Sequence, residues 1–110
     1  MKTINVKIKY ESLIVKLFFP NWVTGVTIGS IILFKNKSDQ VSQTLLNHEL
    51  IHVCQYQEQG LLKFLWKYLW KERKVSYKNK ESEKEAYKFE EDLYYIDRRW
   101  FNYKLKLNHN

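Results

Sequence analysis

The chain has 110 residues and carries a net charge of +7; 45% of its residues are apolar and 16% aromatic. That composition fits one domain with a core and excludes a globally disordered chain. A lone cysteine, Cys54, excludes an internal disulfide and reads as intracellular, and no run of ~20 apolar residues is present that would span a bilayer.

In chain order, residues 3–10 alternate, with Ile4, Val6, Ile8 and Tyr10 on one face and Lys7 and Lys9 on the other. This is the pattern of a half-buried strand, and the N-terminus lacks the continuous apolar stretch of a signal peptide. Residues 13–19 read as a second strand broken by Pro20-Asn21, and residues 26–34 as a more buried third strand. Residues 36–39 then form a loop that supplies a helix N-cap.

A helix is expected over residues 39–59, with Leu46, Leu50, Val53 and Cys54 on its packing side and Gly60 as its stop. A second helix over residues 61–74 is apolar around most of its circumference. Only Lys63, Lys67, Lys71 and Lys74 form a polar stripe. A third helix over residues 80–100 presents Ala86, Phe89, Leu93, Ile96 and Trp100 on one face, and the polar-rich tail 101–110 reads as mobile. Strands followed by helices give an α+β fold: a small N-terminal sheet and three helices in one domain.

The chemistry concentrates in His48-Glu49-Leu50-Ile51-His52. Histidines four apart on a helix point the same way, one turn apart, and can bind one Zn²⁺. Glu49 is rotated by about 100° from His48, placed to act as general base on a water at the metal without ligating it. This is the arrangement of zinc metallopeptidases that hydrolyse peptide bonds. The apolar stripe lies nearly opposite the histidines, so they are expected to face a cleft beside Val41, Leu45, Gln55 and Tyr56.

A zinc site needs a third protein ligand. The position six residues after His52 is Glu58, not His, and no methionine follows Met1, which excludes the metzincin pattern. Glu83 and Glu85 are the candidates on the third helix. Helical-wheel reasoning does not separate them, although Ser82-Glu83-Lys84-Glu85 forms a capping-box pattern that would occupy Glu85.

The segment Glu83-Lys84-Glu85-Ala86, downstream of the histidine motif, resembles the glutamate helix of the gluzincin metallopeptidases, and the chain's size resembles that of the minigluzincins. The likeness covers roughly residues 26–95. It implies that Glu83 is the third zinc ligand, with Glu85 as the alternative. It departs from the family at Tyr87, where an aspartate is usual, so a carboxylate that supports a ligand is either missing or supplied from elsewhere. It also implies latency, with the C-terminal segment in the cleft of its own or a neighbouring molecule; His109, the one histidine outside the motif, is the candidate for the open metal position.

Tyr87, Tyr94, Arg98 and Arg99 are candidate donors to the charge that develops in the reaction, with Tyr94 or Arg98 favoured because they share the Glu83 flank. A peptide or protein is the expected partner. The 61–70 segment or the tail would support a homo-oligomer, and the aromatic segment with its lysines would support peripheral membrane contact. No nucleic-acid signature appears, so none is expected as a partner, and a cytoplasmic, soluble protein is the expected setting. The rival class is a basic membrane- or nucleic-acid-binding module with a degenerate or structural zinc site.

Overall fold

A computed structural model describes residues 1–109. Strand β1 (Lys2–Lys9) forms where the alternation is cleanest, and buries Ile4, Val6 and Ile8. Glu11, with φ at 55°, turns the chain out of it. The next segment is not the expected strand. Helix α1 (Leu13–Phe18) is started by the Ser12 hydroxyl, which accepts from the Val15 amide. It buries only Val15, against Val23 and Leu33.

Strands β2 (Gly25–Ile28) and β3 (Ile31–Phe34) form an antiparallel hairpin where one strand was expected. Gly29, with φ at 63°, supplies the turn. A short 3₁₀ turn (Ser38–Gln40) leads to helix α2 (Gln43–Gln59), capped by the Ser42 hydroxyl on the Leu45 amide and ended at Gly60. Helix α3 (Leu61–Trp66) runs into a π turn (Lys67–Lys71), and a 3₁₀ turn (Tyr77–Asn79) precedes helix α4 (Glu81–Phe89). The expected single third helix is two: α4 and α5 (Tyr95–Arg99) are parted by a turn.

The tail, expected to be irregular, takes up regular structure. Residues Tyr103–His109 form strand β4, paired in parallel along β1 from Lys2↔Tyr103 to Ile8↔His109. Asn110 lies outside the described residues. The sheet order is β2-β3-β1-β4, a mixed four-stranded sheet, so the architecture is α+β. One face of the sheet, through Val6, Ile8, Ile32 and Phe34, packs on Ile51, Val53 and Cys54 of α2. Two consequences bear on the site. Helix α2 is buried at every position from Asn47 to Tyr56, not along one stripe, so its histidines are enclosed. And β2, an edge strand, packs beside α2, with its outer edge unpaired among the described residues.

Candidate metal centre

The motif on α2 converges with α4. His48, His52 and Glu83, all buried, bring one ligand atom each to within 4.8 Å of one another. Nε2 of His48 and Nε2 of His52 both lie 3.1 Å from the same Glu83 oxygen, Oε1. The other ring nitrogens are held from behind: His48 Nδ1 is 3.0 Å from Glu90 Oε1, and His52 Nδ1 is 2.8 Å from Gln55 Oε1. Those outer partners fix each ring so that Nε2 points inward. Gln55 is in turn fixed by donating to the Ser82 carbonyl and to Glu85.

Glu85 is thus occupied with Gln55 and with the Tyr95 hydroxyl, and is not in the cluster. The capping box expected at Ser82 is not formed. The N-cap is Lys80, without a side-chain bond, and the Ser82 hydroxyl is buried with no partner. Position 87 carries Tyr, and the carboxylate that lies behind His48 is that of Glu90, further along the chain. It is placed by Asn47, whose buried amide donates to the Phe89, Glu90 and Asp92 carbonyls and draws the chain out of the helix there.

The electrostatics follow from this packing. Burial pushes the Glu83 carboxyl upward, but the bonds to His48 and His52 and their charges outweigh it and hold it well below the usual range. Burial lowers both histidines, and the Glu83 bond, with the Glu49 charge, more than reverses this. The donor set, two imidazole nitrogens and one carboxylate oxygen, is one that could hold a metal ion.

Glu49 is next to the cluster. The Thr27 hydroxyl on β2 donates to Glu49 Oε1 at 2.7 Å. Gly25 keeps the strand close. A Cβ there would stand 3.4 Å from the Glu49 carboxyl carbon and 3.1 Å from the Phe34 ring. The cleft has two lobes that meet at Gly25, Glu49 and Tyr77. One is mixed, with Thr24, Ser42, Thr44 and His48 beside Trp22 and Leu45; the other is apolar, with Val26, Ile28, Phe64, Leu65 and Leu69.

Of the expected donors, only Tyr87 reaches this region, with its ring 4.7 Å from that of His48. Tyr94 is exposed at the start of α5, and Arg98 is bound to Asp92. Arg99 is bound to Glu58. Two tyrosines that the sequence did not single out are present instead. The Tyr68 hydroxyl donates to Glu83 Oε2 at 3.4 Å, and Tyr77 lines both lobes. Burial, reinforced by the Glu83 charge, raises the pKa of Tyr68, Tyr77 and Tyr87, so all three remain donors. His109 is remote from this group in the fold: it closes β4 and bonds the Tyr10 hydroxyl at 2.8 Å. The expectation of a tail histidine in the cleft is therefore corrected, because the tail is spent on the sheet.

A family model described as "eCIS core domain" matches residues 22–60, the stretch from just before β2 to the end of α2. It includes His48, Glu49 and His52 and stops before Glu83. No curated protein and no solved structure matches the chain.

Proposed function

We propose that the chain is a zinc-dependent metallopeptidase of gluzincin type. The observation that carries this is the pair of Nε2 atoms aimed at one Glu83 oxygen, with Glu49 beside them on the floor of an open cleft. His48, His52 and Glu83 would hold the ion. A bound zinc supplies Lewis acidity to a peptide carbonyl and to a water. Three protein ligands would suit a catalytic ion, whereas a structural zinc takes four.

Glu49 is the base. It takes a proton from the attacking water and returns it to the leaving amine. Thr27 holds Glu49 Oε1, which leaves the other oxygen for that water. Gln55 and Glu90 keep the histidine rings oriented. Tyr77 and Tyr87 line the lobe that holds His48 and would share the negative charge of the tetrahedral state. The unpaired edge of β2 offers backbone groups to an extended peptide, which would add as a further strand beside Glu49.

The test combines metal content with cleavage of a quenched peptide library. Purified protein is expected to hold one zinc, lost in His48→Ala, His52→Ala and Glu83→Ala. Glu49→Gln keeps the metal and loses turnover by about 10²–10⁴-fold. Protein that takes up no zinc, or turnover that survives Glu49→Gln, ends the proposal.

A further inference from the structure

The cleft lies between two exposed apolar ridges that the metal chemistry does not use. The first runs along α3 and the π turn. Leu62 is 82% exposed, Leu69 63%, Trp70 60% and Trp66 58%. The second is α1, where Leu13, Ile14, Leu17 and Phe18 are all more than half exposed. Both ridges border the apolar lobe, one through Leu65 and Leu69, the other through Phe19 and Val23. Contiguous exposed apolar surface of this kind marks a contact surface.

The charge pattern selects the occupant. Lys63, Lys67, Lys71, Arg73 and Lys74 interleave with the first ridge, and Glu72 is the only acid among residues 61–74. Lys16 sits in the second ridge. A second copy meeting this face about a two-fold axis would set cations against cations, which is unfavourable. An anionic lipid surface has the opposite charge, accepts tryptophan at its headgroup level and leucine below it, and is flat enough to touch both ridges.

We propose that this face docks on an anionic bilayer, with Trp66, Leu69 and Trp70 on one side of the cleft and Leu17 and Phe18 on the other entering the headgroup region. The cleft mouth then opens along the membrane surface. No helix among the described residues is long and apolar enough to cross a membrane, so the contact is peripheral. This proposal stands independently of the metal chemistry, because the ridges contain no residue of the cluster.

The experiment is flotation of the full chain with vesicles of phosphatidylcholine containing one third phosphatidylserine, against pure phosphatidylcholine, read with tryptophan emission. Trp22, Trp66 and Trp70 are exposed and Trp100 is buried, so insertion gives a blue shift. Binding is expected on the anionic vesicles. It should fall at least about tenfold in Trp66→Ser/Trp70→Ser and again in Leu17→Ser/Phe18→Ser, since large apolar groups no longer leave water. Circular dichroism controls for folding, which these exposed positions should not disturb. Absence of binding to the anionic vesicles overturns the proposal. So does binding that ignores both ridge variants, which would be charge alone. A dimer in sedimentation velocity that the ridge variants dissociate, with no vesicle binding, assigns the face to a second copy.

Discussion

Glu83 Oε1, shared at 3.1 Å by two imidazole nitrogens, is the point on which the site's titration turns. For His52, burial is opposed by the Glu83 bond and by the Glu49 and Glu83 charges, and its pKa rises from 6.5 to about 9. For Glu83, burial is opposed by both histidines, and its pKa falls from 4.5 to about 2. A raised histidine stabilises the fold fully below 6.5 and ceases to do so as pH rises through 9. A depressed carboxylate stabilises it above 4.5 and ceases as pH falls through 2. In metal-free protein the cluster therefore contributes most between 4.5 and 6.5, which thermal melts across pH will report as a maximum. Because His52 is protonated at neutral pH and a ligand imidazole must be neutral, zinc uptake should release at least one proton. Calorimetry in buffers of different ionisation enthalpy measures this. A heat of binding independent of buffer would contradict it.

Among elements, α2 was the most legible and the turn after α4 the least. The histidine motif is local: the four-residue spacing puts both rings on one side of any helix, and the Gly60 stop can be read from residue type, whereas the cap expected from residues 36–39 falls at Ser42, because residues 38–40 form a separate 3₁₀ turn. Glu83 against Glu85 was not decidable, because the choice depends on which flank of α4 meets α2. Thr27, Tyr68 and Tyr77 come from elements brought to the site only by packing, and no sequence signal marked them. Two misreadings have physical causes. In residues 13–19 the β-branched, apolar composition suggested a strand, but Ser12 caps a helix whose apolar side chains stay outside. In residues 80–100 the apolar period ran through a break that Asn47 imposes from another element. That break makes Asn47 a positioning residue. Asn47→Ala removes the donor from three part-buried carbonyls and is expected to cost about 1–3 kcal/mol. It also frees the segment that carries Glu90 behind His48, so zinc affinity should fall by roughly 10–100-fold, as for other supporting partners of metal ligands. Denaturant melts and competition with a chelator read the two effects separately. A variant that loses stability and keeps its zinc affinity would show that Asn47 has no hold on the site.

At the scale of the molecule, the question is what the C-terminal segment does. The gluzincin likeness suggested a lid over the metal, and low apolar content in residues 101–110 suggested mobility. Yet Tyr103, Leu105 and Leu107 alternate with Lys104, Lys106 and Asn108, the same period-two signal that identified β1, and the structure uses it. Parallel pairing along β1 places Leu105 and Leu107, half-buried, on the core that also supports α2. The segment thus acts on the site from behind, by holding the sheet on which α2 packs. A lid and a structural strand make opposite predictions for Leu105→Ser/Leu107→Ser. Release of a lid would raise turnover and leave stability alone. Loss of two half-buried leucines from an edge strand removes about 1–2 kcal/mol each, and at roughly 4–8 °C per kcal/mol for a domain of this size the melting temperature should drop by about 10 °C or more. Turnover per folded molecule should not rise. Thermal denaturation run beside the peptide assay distinguishes the two. An unchanged melt with increased cleavage would return the tail to the cleft.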